Sequence, residues 1–129
     1  MTNRTAAHLI AEAKAHVSHV TAEEVAAELE DTEVLLVDLR EPDERAEHGV
    51  IPCGVHAPRG MLEFYADPTS AYFHQAFDPA RRTILYCASG GRAALAAETL
   101  TRLGYTQVTY LKGGLHAWVE AGYRVEPST

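Results

Sequence analysis

The stretch that decides the reading is "TILYCASGGRAALAAETL", residues 83–100. Its opening residues read as a buried strand that runs straight into Cys87. Ala93, Ala96, Ala97, Leu100 and Leu103 then recur at helical spacing, and Gly104 closes the helix. A thiol therefore stands at the carboxyl end of a predicted strand, where open α/β sheets bind ligands. The loop after it opens a helix, so its backbone N–H groups lack intrahelical partners and are free to point into the loop. Gly90 and Gly91 permit the curled backbone this needs, and Arg92 adds a permanent charge on a planar donor fork. Together these features stabilise negative charge on sulfur and make Cys87 a nucleophile near neutral pH. An inert, buried cysteine before an ordinary strand-to-helix turn fits the same residues, and the loop alone does not separate the two readings.

Around this unit the chain alternates strands and helices. "VLLVDL", residues 34–39, is a continuous apolar run of the kind covered on both faces. "QVTYL", residues 107–111, is a further strand, and residues 54–58 supply a short one. Leu9, Ile10, Ala13 and Val17 predict a helix over about residues 5–17. Thr21 and Glu24 form a capping box ahead of Val25, Ala26 and Leu29. Pro42 suits the first turn of a short helix, and Leu115, Trp118 and Val119 give a last one ended by Gly122. Residues 60–78 read as short helical pieces and loop, in which Phe64, Tyr65, Tyr72 and Phe73 either wall a pocket or fill the core. The pattern predicts a single α/β domain with a mainly parallel central sheet flanked by helices, behind an N-terminal helical extension at residues 1–19.

A chain of 129 residues suffices for one core without disulfides or metals. A net charge of -7 disfavours nucleic acid or an anionic membrane as the main partner, so an anionic ligand has to be held by a local site. The N-terminus lacks the apolar core of a signal peptide, no segment has membrane-spanning length, and the expected location is the cytoplasm. Two cysteines, Cys53 and Cys87, are too few for a disulfide framework or a thiolate zinc site. His8, Glu12, His16 and His19 fall at metal-like spacing on the first helix, yet histidines on an acidic exposed helix are ordinarily solvated. No metal and no cofactor is expected. Cys53 reads either as a resolving thiol for Cys87 or as an unreactive turn residue, and Arg81 and Arg82 as a solvated pair before a strand.

Four blocks in order resemble a single-domain rhodanese, a sulfurtransferase, and place that domain over residues 20–127. They are "LLVDLREPDERAEHGVIP" (35–52), "HAPRGMLEF" (56–64), "YCASGGRAALAAETLTRLGY" (86–105) and "YLKGGLHAWVEAGY" (110–123). The resemblance implies that Cys87 takes sulfane sulfur from a small donor, thiosulfate or a low-molecular-weight persulfide, and becomes a persulfide. A thiophile such as cyanide or a cellular thiol then removes that sulfur, and a protein acceptor is a further candidate partner. Ala88, Ser89, Gly90 and Gly91 would bind the substrate with their amides, Arg92 would complete the loop, and Asp38 and Arg40 would anchor it. The loop from Cys87 to Arg92 has six members, whereas related phosphatases use one residue more. Ala88 stands where many thiosulfate-using members carry arginine, which removes a charge from the pocket mouth and makes Arg59, on the facing segment, the candidate to replace it. Cys53 sits where glycine is usual. The competing functions are a non-enzymatic persulfide carrier or docking module and, less favoured, a phosphatase or arsenate reductase on the same fold.

Overall fold

The computed structural model describes residues 3–128, so the first two residues of the expected extension lie outside the described residues. Within them run five strands: β1 (His19–Val20), β2 (Leu35–Asp38), β3 (Val55–His56), β4 (Thr83–Tyr86) and β5 (Val108–Leu111). The helices are α1 (Ala6–His16), α2 (Ala22–Glu28), α3 (Pro42–His48), α4 (Leu62–Ala66), α5 (Gly91–Arg102) and α6 (Gly114–Glu120). The strands form one sheet in the order β1-β5-β4-β2-β3, and every pairing is parallel.

β2 and β4 are buried along their whole length, which is why they read as unbroken apolar runs. Successive side chains serve opposite faces. Leu35, Val37 and Leu85 join the core under α1, α4 and α5, while Leu36, Ile84 and Tyr86 join the core under α2 and α6. Parallel pairing brings all carboxyl ends of the strands to one edge, where Asp38 lies opposite both Tyr86 and His56.

α1 packs along α5 with Ala13 fully buried between them. A Cβ on Gly91 would lie 3.0 Å from Ile10 Cδ1, so α1 crosses α5 at its first turn, next to Cys87. Both Thr5 and Thr21 make reciprocal capping boxes. The first of these was not foreseen, because its partner is His8, whose Nδ1 accepts from the Thr5 N–H.

His8, Glu12, His16 and His19 do not share one helix face. α1 stops at His16 because Val17 turns extended (φ -120°, ψ 153°), and a mutual hydrogen bond between Ser18 and Thr109 draws the chain into the sheet. His19 consequently lies in β1 rather than on the helix. Glu12 pairs with Arg4 and His16 with Glu98 at 3.1 Å.

The basic pair before β4 also differs from expectation. Arg82 makes two hydrogen bonds of 2.8 Å to the Glu28 carboxylate, while Arg81 donates to the carbonyls of Glu33 and Ala76. Leu103 caps α5 instead of joining its buried face and is 44% exposed.

Because Ala13 is fully buried in the core where α1 meets α5, Ala13→Leu is expected to overpack that contact and lower stability by about 1–3 kcal/mol. Chemical denaturation followed by circular dichroism measures this, and an unchanged midpoint would mean that α1 is not tightly docked.

Candidate active site

Cys87 follows β4 directly and is 1% exposed. The chain then turns through Gly90, which adopts φ +112° immediately before α5. This left-handed step is cheap only for glycine, and it aims the Gly90 N–H at Cys87 Sγ, 3.1 Å away. The sulfur thus sits at the amino end of a 12-residue helix, whose dipole favours negative charge there.

A second pair of glycines closes on the loop from the other side. Gly113 and Gly114 both have positive φ and deliver the first turn of α6. The Leu115 N–H donates to the Cys87 carbonyl at 2.9 Å and the His116 N–H to the Ala88 carbonyl at 3.1 Å. A Cβ on Gly114 would lie 2.5 Å from the Cys87 oxygen, so only glycine allows this approach.

Beside the end of β4 that leads into Cys87 lies a buried polar cluster centred on Asp38, which is inaccessible to solvent. Its Oδ1 accepts from the backbone N–H and Nε of Arg40, both at 3.0 Å. Its Oδ2 accepts from Arg40 Nη2 at 2.8 Å, Arg45 Nη1 at 2.7 Å and the Tyr86 hydroxyl at 3.0 Å. Burial pushes the Asp38 carboxyl up, but these donors, Arg40 foremost, hold it below the ordinary carboxylate value. Burial likewise pushes the Tyr86 hydroxyl up, and the neighbouring Asp38 charge adds to this. Arg40 also donates to the Gly49 carbonyl and lies over the Tyr86 ring, while its own carbonyl is 2.6 Å from His56 Nε2.

Arg92, in the first turn of α5, reaches back to α3. Its Nη1 donates to both oxygens of Glu44, at 2.9 and 3.1 Å. The Glu44 hydrogen bond holds the guanidinium above its ordinary value, with attraction to the Cys87 sulfur acting in the same direction.

A cleft of about 680 Å³ opens at Ala88. Leu115, Val119 and Val125 give it an apolar wall, and Arg40, Glu44 and Glu120 bring charge to it. An antiparallel bridge between Val50 and Glu126 fixes the segment that carries Val125.

The rhodanese-like domain family matches residues 21–121. The chain belongs to that family. Among its relatives, a sulfurtransferase from Allochromatium vinosum is 34% identical over 107 residues, covering 82% of this chain and 92% of that protein. A thiosulfate:glutathione sulfurtransferase from Saccharomyces cerevisiae is 34% identical over 100 residues, covering 71% of this chain and 69% of that one. In structure, a protein of unknown function from Rhodopseudomonas palustris, described as a possible tyrosine phosphatase, matches with a TM-score of 0.91. It is 34% identical, and the match covers 98% of this chain and 97% of that one.

In this rhodanese-like domain Arg40 and Ala88 line one cleft, and Asp38 pairs with Tyr86, the residue before Cys87, at the carboxyl edge of the sheet. Arg59 is used elsewhere: its guanidinium donates to Glu63 at 2.9 Å and to Thr99 Oγ1 at 3.2 Å, and it does not line the cleft. Of the four aromatics, Tyr65 and Phe73 pack on the core. Phe64 and Tyr72 are 50% and 63% exposed and meet edge to face. None of the four lines the cleft. Cys53 is exposed at a positive φ of 73°, which explains why glycine suits that place. Among the described residues no three His, Cys, Asp or Glu side chains gather to hold a metal ion.

Sequence reasoning missed Glu44, Arg45, Tyr86 and the Gly113–Gly114 turn. The last had a readable signal, since "KGGLHAW" repeats the glycine pair before a helix seen in "SGGRAAL".

Gly114→Ala is expected to cost about 2 kcal/mol or more, through backbone strain and the clash with Cys87, and to lower reactivity of the thiol. Melting temperature and the rate of alkylation by iodoacetamide test both effects. Asp38→Asn, which leaves Arg40 buried without its counter-charge, is expected to cost about 3 kcal/mol at neutral pH. With its folded-state pKa depressed, Asp38 contributes stability above the ordinary carboxylate pKa of about 3.9 and loses it as pH falls through the lower folded value. Denaturation curves from pH 7 down to about pH 3 should therefore be flatter for Asp38→Asn than for wild type.

Proposed function

We propose that the protein is a sulfurtransferase that carries sulfane sulfur on Cys87 from a small donor, thiosulfate or a low-molecular-weight persulfide, to a thiol or cyanide. The observation that carries this reading is the Gly90 N–H held on Cys87 Sγ inside a six-residue loop at a helix amino terminus. A thiolate in that setting attacks the outer sulfur of the donor. The donor's sulfur–sulfur bond breaks and its inner group leaves with the electron pair. An acceptor thiolate or cyanide then attacks the outer sulfur of the Cys87 persulfide and regenerates the thiolate, so no external oxidant or reductant enters.

The named relatives support sulfur transfer, and the thiosulfate:glutathione sulfurtransferase in particular supports a thiol as acceptor. Asp38 and Arg40 act as positioning residues beside the strand end that leads into the loop. Arg92 closes the loop on the donor side. The description of the Rhodopseudomonas protein favours phosphoryl transfer as the second reading, but the loop is one residue shorter than that chemistry uses in the related phosphatases.

Intact-protein mass after incubation with thiosulfate or glutathione persulfide tests the proposal. Wild type should gain one sulfur atom and Cys87→Ser none, and only wild type should turn over cyanide to thiocyanate. Sulfur transfer retained by Cys87→Ser, or Cys87-dependent hydrolysis of p-nitrophenyl phosphate without sulfur uptake, would overturn it.

A further inference from the structure

The cleft at Ala88 has room for an organic molecule, yet the arginines in and around it already have polar partners. Arg40, the one arginine or lysine lining it among the described residues, is 1% exposed and held by both Asp38 oxygens. Arg92, the charge that follows the loop amides, gives Nη1 to both Glu44 oxygens. Ala88 brings no charge, and the guanidinium of Arg59 is engaged by Glu63 and Thr99. Glu120, His48 and His116 complete the polar lining. A donor oxyanion that approaches Arg92 from the cleft would therefore meet the Glu44 carboxylate, which lines the cleft and holds Arg92, inside a protein whose net charge is -7.

Thiosulfate, a dianion, places three oxygens that share its negative charge on the sulfur next to the one it gives up, so it needs that seat. In an organic persulfide, R–S–SH, the inner sulfur is bonded to carbon and carries no oxyanion. Repulsion by Glu44 scales with the charge brought beside it, and the apolar wall of Leu115, Val119 and Val125 offers contact only to an organic body.

We propose that Glu44 sets donor choice by occupying Arg92, which disfavours thiosulfate and leaves the cleft to organic persulfides. This rests on the sulfurtransferase reading above. With such a donor, the Cys87 thiolate attacks the terminal sulfur, the S–S bond breaks, R–S⁻ leaves with the electron pair, and the proton remains on the transferred sulfur as Cys87–S–SH. With thiosulfate the same attack releases sulfite.

The experiment measures the rate at which Cys87 gains one sulfur, by intact-protein mass after quenching, with thiosulfate and with glutathione persulfide as separate donors. The proteins are wild type, Glu44→Gln, Glu44→Ala, Arg92→Ala and Glu44→Gln/Arg92→Ala, each checked for folding by circular dichroism. Wild type is expected to react faster with glutathione persulfide. The thiosulfate-to-persulfide rate ratio should rise at least tenfold in Glu44→Ala and in Glu44→Gln. The rise should vanish when Arg92 is also removed, as a double-mutant cycle requires of residues that act through each other. Glu44→Ala guards against a glutamine that still accepts from Arg92. A ratio that stays within threefold of wild type in both Glu44 variants, or a rise that survives loss of Arg92, overturns the assignment to Glu44 while sulfur transfer stands. Sulfur uptake from neither donor by wild type overturns both.

Discussion

The Asp38 carboxylate, shut away from water, is the constraint on which the site depends. A buried charge is costly unless it is paired and its lone pairs are filled, and here five hydrogen bonds converge on two oxygens. The three donor residues come from different parts of the local structure. Arg40 belongs to the turn after β2, Tyr86 closes β4 and Arg45 belongs to α3. One carboxylate therefore fixes the ends of two adjacent strands and the orientation of a helix. Arg45 and the neighbouring Glu44 share α3, so the helix that pairs with Asp38 also carries the carboxylate bound to Arg92.

The loop itself is shaped by close approach. Gly90 turns an amide onto the sulfur, and Gly114 lets the α6 amides reach the carbonyls of Cys87 and Ala88. The peptide groups around the thiol are thus held from both sides, and little reorganisation is left for the moment when charge develops. α1 adds a third support, with Ile10 against Gly91.

Much of this was legible in the chain. The apolar runs of β2 and β4, the helix α5 with its buried Ala93, Ala96, Ala97 and Leu100, and the strand–Cys–Gly–Gly–Arg order all follow from local periodicity and turn chemistry, which a sequence displays directly. β3 falls inside the short strand expected over residues 54–58, whereas the two-residue strand β1 carries no period of its own, and its pairing with β5 makes it a strand. For the same reason His19 read as helical until the Ser18–Thr109 contact is known. Partner choice among charges was also hidden. Glu44 and Arg92 are 48 residues apart, and nothing local distinguishes Glu44 from Glu41 or Glu47, or shows that Arg59 turns to Glu63 instead of the loop.

The order of elements along the chain bears on how the thiol comes into being. Cys87 precedes α6, and β1 pairs only with β5, so His19 waits for Tyr110. During synthesis from the amino terminus, a nascent chain passes through a stage in which Cys87 is made while the amides of Leu115 and His116 that hold its loop are not. Closure of such long-range contacts comes late because loop entropy has to be overcome first. In that interval the loop has its own Gly90 amide and α5 but lacks the two hydrogen bonds by which α6 fixes the carbonyls of Cys87 and Ala88.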